Sequence, residues 1–448
     1  MSDVASDLPP EVRTSVPGPI GARLVETLAA TESPALTTRR ARRSERSGAP
    51  HDPIVWSRAS GINVWDADGN RYVDMTAGFG VASIGHAHPA VLAAIAAQSE
   101  RLLHALGDVH PSDVKLRLLE RLARLAPFDD ARVMLGLSGS DAVTAALKTA
   151  VLATGRPGVL AFEGGYHGLD YAPLAACGYR EGFRAPFAAQ LNPHVRFAPY
   201  PRARTRVDDA VHAVARMWDA AGPGADIGAV LVEPVLGRGG VIVPPPGFLA
   251  ALGELCAGRG ALLIADEVQT GLGRTGATWR SIADGARPDL VCVGKALGGG
   301  LAISACLGPE RVMRAWGDPA GEAIHTGTFF GQPLACAAAL ATLDVIEHER
   351  LDEVATRKGA TWMRTLAALA ERHPCVREVR GTGLLLGVEL DRDGRALAVM
   401  RALLERGYIA LVAGSDGRTL SLTPPLTITD ARREQFVRAL DASLEATA

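Results

Sequence analysis

No stretch of this 448-residue chain is apolar for long enough to span a membrane. The first residues, MSDVASDLPPEVR, lack the apolar core of a secretory signal. Both absences point to a cytoplasmic protein. The six cysteines (177, 256, 292, 306, 336 and 375) form no Cys-x-x-Cys pair, and several sit in apolar runs. They read as reduced, buried thiols. Neither sign of charge dominates: 47 Lys and Arg stand against 49 Asp and Glu, a formal net charge of -2. That balance speaks against nucleic acid or an anionic membrane as the main partner. The basic run RRARRSER at 39–46 has no interleaved aromatics, so it reads as a solvated segment. No GxxxxGK[ST] occurs, which excludes a P-loop, and no internal repeat or long low-complexity tract is present.

What remains is ordinary for a soluble globular protein: 48% hydrophobic and 21% charged residues, over a length that allows more than one domain. Residues 1–17, rich in Pro, Ser and Asp, are expected to be disordered. A short helix is expected over 20–30, then strand-like segments at 54–56, 62–65 and 72–74, with ADGN at 67–70 as a turn. GHAHP at 85–89 offers two histidines and no third ligand, so it reads as a turn into a helix at 90–101, not a metal site. From residue 132 a strand, a glycine loop and a helix recur, which predicts an α/β fold with a mostly parallel sheet and right-handed crossovers. Every polar cluster in that series follows a strand, so all should gather on one sheet edge. After about residue 335 helices at 334–347, 351–372 and 395–406, with a strand at 384–389, suggest a second, smaller α+β domain.

The stretch ALLIADEVQTGLGRTG, 261–276, opens as a buried strand and ends on an acidic pair, Asp266 and Glu267, before glycines at 271, 273 and 276. A carboxylate there caps a neighbouring helix or faces a bound cation. Lys295 also ends an apolar run, 290–293, and precedes Gly298 to Gly300. Desolvation at a strand exit would lower its pKa and leave a nucleophilic amine, suited to a Schiff base. Ser138-Gly139-Ser140-Asp141 sits where a strand feeds a helix, either a plain N-cap or an anion site.

ADEVQTGLGRTG followed by VGKALGGG resembles the signature of class III (ω-type) pyridoxal-phosphate aminotransferases of fold type I. The resemblance extends from about residue 50 to the end. It implies a large domain over 75–335 and a small α+β domain built from 18–74 and 336–448. It implies pyridoxal 5'-phosphate held by Lys295 as an internal aldimine, with Lys295 then moving the proton between substrate and cofactor carbons. The backbone of Gly139 and Ser140 and the Ser140 hydroxyl are implied to hold the phosphate, although Asp141 stands where the family often has Glu. Tyr166 is implied to stack on the ring with His167 supporting its loop, Val268 to cover the opposite face, and Gln269 to donate to the phenolic oxygen. Asp266 is implied to keep the pyridine nitrogen protonated, helped by Glu233. HTGTFFGQPLACAAALATL resembles the segment crossing a dimer interface, so Thr328 is implied to bind the partner subunit's phosphate in a homodimer with composite sites.

Arg380 in VRGTGLLLGVEL matches the family's carboxylate-binding arginine, and Phe79 in TAGFG a position lining the substrate pocket. One departure bears on specificity. Several ω-type members carry, after EP, a glutamate that pairs with this arginine, and EPVLGRGG has Arg238 there. Arg380 is therefore expected to stay available as a receptor, with Arg238 either a second charge at the pocket mouth or packed on the outer loop. The expected reaction moves an amino group between an amino acid or amine and a 2-oxo acid. Its rivals are a racemase, epimerase or aminomutase of the same fold, and a non-catalytic cofactor-binding partner protein.

Overall fold

The computed structural model describes residues 6–34, 42, 53–220, 226–317 and 323–447. The basic run at 39–46 lies outside the described residues, apart from residue 42. Residues 6–17 depart from the expectation of disorder. Asn63 Oδ1 accepts from Leu8 N at 2.8 Å and Asn63 Nδ2 donates to Leu8 O at 2.9 Å. Glu11 and Arg71 exchange both backbone hydrogen bonds at 2.8 Å, and Asn70 Oδ1 takes Arg13 N at 2.8 Å. The arm thus satisfies its backbone on two buried asparagines and a strand, which its composition cannot reveal.

The helix α1 (Pro19–Thr31) precedes a small antiparallel sheet of β1 (Trp56–Ser60), β2 (Asn63–Asp66) and β3 (Arg71–Asp74). The first strand lies at 56–60 rather than 54–56. Its exposed WSRAS segment is held by cross-strand pairing and by Arg58, whose guanidinium lies 3.9 Å from the centre of the Trp65 ring. Asp66 Oδ1 accepts from the N–H groups of Asp68 and Asn70 at 3.0 and 2.9 Å, which builds the turn at 67–70.

After α2 (Pro89–Ser99) and α3 (Asp113–Leu125) comes a seven-stranded sheet. Its strands are β4 (Ala131–Gly136), β5 (Gly158–Phe162), β6 (Val195–Ala198), β7 (Ile227–Val232), β8 (Leu262–Asp266), β9 (Leu290–Val293) and β10 (Ser304–Pro309), in the order β4-β10-β9-β8-β7-β5-β6. Only β10 runs against the direction of the other six strands. The helices between them, α4 (Gly139–Thr154), α5 (Val207–Asp219) and α6 (Phe248–Gly258), cover both faces. Leu231 and Ile264 pack with α4, while Val230, Val232 and Leu263 pack with α5 and α6. Burial on both faces is why these strands read as unbroken apolar runs.

The chain continues through α7 (Pro333–His348) and α8 (Leu351–Arg372) into β11 (Val376–Thr382) and β12 (Leu385–Leu390). Next come α9 (Arg395–Glu405), β13 (Tyr408–Ile409), β14 (Leu411–Ala413), β15 (Thr419–Leu422) and α10 (Asp430–Ala446). β11, β12, β15 and β14 form a third sheet, whereas β13 joins β3 in the first. Trp362, Leu366, Leu386, Leu403, Phe436 and Leu440 share one buried core with Ile62, Val73 and Met75. The two ends of the sequence are thereby packed together.

Candidate active site

Five loops leave the same edge of the large sheet, after β4, β5, β7, β8 and β9, because those strands are parallel. The acidic pair after β8 divides its work. Glu267 turns inward and accepts from Ser281 N and Oγ, both at 2.7 Å, at the start of the short helix Arg280–Ala283. Asp266, 3% exposed, turns the other way. Its Oδ2 lies 2.7 Å from His167 Nδ1, and its Oδ1 accepts from Val268 N at 3.1 Å. One carboxylate caps a helix; the other stands in the loop cluster. Burial pushes His167 down, but the hydrogen bond and charge of Asp266, aided by Glu233, outweigh it and raise the imidazole. His167 Nε2 is buried and finds no hydrogen-bond partner among the described residues.

Lys295 opens a one-turn helix, Lys295–Gly298, at φ 40°, a left-handed conformation costly for a residue with a side chain. Its Nζ donates to Gln269 Oε1, a neutral acceptor. Desolvation lowers the ammonium's pKa; Glu233 and Asp266 oppose the shift, and Arg238 and Arg274 add to it. The amine is therefore easier to deprotonate than an ordinary lysine.

Ser138 caps α4 with a reciprocal box: its Oγ accepts from Asp141 N, and Asp141 Oδ2 accepts from Ser138 N at 2.9 Å. Gly139 and Ser140, the first residues of the helix, have no preceding turn to receive their N–H groups. A side chain at Gly139 would come within 2.9 Å of Val268 Cγ1, and one at Gly168 (φ 118°) would strike Ser140 Oγ. These close approaches join the loops after β4, β5 and β8. Gly80 faces Gln269 and Lys295, since its Cβ would lie 3.3 Å from Gln269 Nε2 and 3.8 Å from Lys295 Cδ. Both Glu233 oxygens are taken by backbone, Tyr166 N at 2.8 Å and Gly237 N at 3.1 Å, so Glu233 clamps the loop that carries Tyr166.

Phe79, at φ 65° and 67% exposed, stands beside Gly80 on a strained turn. Asp74 holds that turn through Thr76 N and Gly78 N, both at 2.8 Å, and meets His86 Nε2 at 2.9 Å. His88 caps α2 instead, through Ala90 N. Among the described residues, no group of three or more His, Cys, Asp or Glu is placed to hold a metal. Thr328 is not brought into the cluster. It is exposed, beside His104, Lys115 and Phe330. A separate apolar cavity of about 380 Å³ between α4 and Trp316 holds none of the residues singled out from the sequence.

Arg380 is not free. Its Nη1 donates to Glu378 at 2.8 Å and to Glu389, its Nη2 to Gly240 O at 2.7 Å and Thr419 Oγ1 at 3.0 Å, and its Nε to Gly240 O at 3.0 Å. The expectation of an arginine left available by the change at residue 238 does not hold here. β11 and β12 are antiparallel neighbours that pair Glu378 with Glu389, and residues two apart share a sheet face, so two carboxylates meet Arg380. Arg238 lies over the Tyr166 ring, 4.3 Å from its centre, and near Tyr179. Sequence reasoning missed Tyr179, Asp74 and Arg274. Only Asp74 carried a signal, an aspartate two residues before a threonine and a glycine-rich turn.

The arrangement fits a flat ring bearing an anion: the first N–H groups of α4 have no preceding helical turn, a carboxylate and a lysine flank the middle, and glycines leave room between. A family model described as Aminotransferase class-III matches residues 45–444. The chain is 38% identical to the acetylornithine aminotransferase of Methanothermobacter thermautotrophicus, over 87% of this chain and 92% of the relative. It is 31% identical to the alanine/serine racemase of Pyrococcus horikoshii, over 98% and 93%. A crystal structure of an amine transaminase from an uncultivated Pseudomonas species, in its PLP-bound form, superposes with a TM-score of 0.81 at 31% identity, covering 88% of this chain and 95% of that one.

Proposed function

This chain belongs to the class-III aminotransferase family, and from that membership we propose how the residues of its pocket divide the work. It is a pyridoxal-phosphate-dependent aminotransferase of fold type I that moves an amino group between an amino donor and a 2-oxo acid. Pyridoxal phosphate, when bound, supplies a carbonyl for the amine and a ring that accepts electrons. Lys295 Nζ would attach the cofactor and would move the proton at the donor's amine-bearing carbon. Asp266, braced by His167, holds the proton on the ring nitrogen. The N–H groups of Gly139 and Ser140, with Ser140 Oγ, hold the phosphate. Tyr166 and Val268 would hold the ring between them and Gln269 would offer its amide to the phenolic oxygen, while Glu233 fixes the Tyr166 loop. Phe79 sets the width of the substrate pocket.

The observation that carries this reading is Lys295, whose burial lowers its pKa and whose Nζ meets a neutral amide in the same cluster as Asp266. The test mixes the holoenzyme with an amino acid and no acceptor. One 2-oxo acid per active site should appear, and turnover should stop until a 2-oxo acid is added. Interconversion of the D- and L-forms without release of 2-oxo acid would support a racemase, as in the Pyrococcus relative.

We extend the proposal to a homodimer in the cytoplasm, with 75–335 as the large domain and 18–74 with 336–448 as the small one. Leu103, Leu106, Val109 and Phe329 are exposed apolar residues close in sequence to the His104–Phe329 contact, beside Thr328. Such a patch is suited to a second copy of the chain. All six cysteines are buried and free, which suits a reducing compartment. Thr328 would then reach the partner subunit's cofactor phosphate. Thr328→Ala should weaken cofactor retention ~10-fold, the loss of one hydrogen bond to a charged group. A fully active monomer in sedimentation would contradict the composite site.

A further inference from the structure

We propose that the guanidinium of Arg238, not that of Arg380, is the receptor for the carboxylate of the amino-acid donor and of the 2-oxo acid acceptor; this rests on the aminotransferase reading above. An arginine side chain has five N–H donors. For Arg380 all five have acceptors: Nε the carbonyls of Gly240 and Val241, Nη1 the carboxylates of Glu378 and Glu389, Nη2 the Gly240 carbonyl and Thr419 Oγ1. The side chain is 9% exposed. Burial pushes Glu389 upward, but the hydrogen bond and charge of Arg380 win and hold it below the usual carboxylate range. A substrate carboxylate at Arg380 would have to displace two carboxylates already bound, Glu378 and Glu389, which Arg202 also pairs at 3.3 and 3.4 Å.

Arg238 is in the opposite state. Among the described residues the ion pairs of Glu378 and Glu389 are with Arg202 and Arg380, and none involves Arg238. Its guanidinium carbon lies 4.3, 5.1 and 5.8 Å from the ring centres of Tyr166, Tyr179 and Phe183. Aromatic contacts orient a guanidinium while leaving its in-plane N–H edge for a planar oxyanion. The platform is anchored. Arg238 O accepts from Gly414 N at 2.9 Å, and Tyr179 Oη donates to Gly414 O at 3.0 Å, so cation and ring are tied to one turn. The same loop holds Arg380, because the Gly240 carbonyl two residues on receives two of its donors. Arg238 also stands close enough to Lys295 for its charge to act on the reacting nitrogen.

The test uses the holoenzyme and glutarate, a dicarboxylate with neither amine nor ketone, with Kd measured by calorimetry. Arg238→Gln should weaken glutarate about 10- to 100-fold, the loss of a bidentate charged hydrogen bond. It should raise KM for alanine similarly, change kcat far less, and lower the preference for alanine over ethylamine by the same factor. Arg238→Lys should fall between, keeping the charge without the fork. Arg380→Lys should change glutarate affinity less than about threefold; if that variant does not fold, the Arg238 variants decide alone. Unchanged glutarate affinity in folded Arg238→Gln, or loss of affinity only in Arg380→Lys, overturns the assignment. Failure of the wild type to form 2-oxo acid would undo the aminotransferase reading instead, and calorimetry would still judge Arg238.

Discussion

Lys295→Ala should bind pyridoxal phosphate and yet turn over at least ~10⁴-fold more slowly than wild type, because in the proposed assignment one side chain serves both as attachment point and as proton carrier. The loss should fall on kcat, since the remaining contacts to cofactor and substrate are intact. An added small primary amine should restore part of the rate by supplying a base where Nζ stood. The geometry sets this expectation: Nζ meets Gln269, not a carboxylate, and burial favours its neutral form. Retention of activity within tenfold of wild type would remove Lys295 from the chemistry.

The second large effect is at Asp266. Asp266→Asn keeps the shape of the side chain and an acceptor for His167 Nδ1, which lies 2.7 Å away. On the proposed assignment it removes the negative charge that would hold the proton on the ring nitrogen, so the ring would be a poorer electron acceptor. Turnover should fall at least ~10²-fold, with cofactor still bound. Stability should change little in comparison, because Glu267, not Asp266, caps the neighbouring short helix through Ser281. Activity within a few-fold of wild type would make Asp266 a structural residue only.

The parts legible in the sequence are those where one physical demand dominates. Strands β7, β8 and β9 are buried on both faces and read as apolar runs, and the polar groups that end them announce the site edge. Where a residue's fate is set by partners distant in sequence, composition misleads. Residues 6–17 look disordered, but Asn63 and Asn70 supply their hydrogen bonds. β10, with Ser, Cys, Gly and Pro among its six residues, shows no strand pattern and is placed by its two antiparallel neighbours. Arg380 is the instructive case. Arg238, standing where the resemblance places a glutamate in several members, suggests a freed receptor. The pairing of Glu378 with Glu389 depends on strand register, which the sequence does not display. Likewise the platform under Arg238 needs Tyr166 and Tyr179, thirteen residues apart, to meet beside a third loop.

The central claim is that Lys295 carries the cofactor, and borohydride tests it most directly. The chain has four lysines, Lys115, Lys148, Lys295 and Lys358, so a proteolytic map distinguishes them without ambiguity. Purified holoenzyme should absorb visible light, lose that band on reduction, and yield a single peptide with the cofactor fixed to Lys295 Nζ. Cofactor found on Lys115, Lys148 or Lys358, or released unreduced from a coloured and active enzyme, would contradict the account.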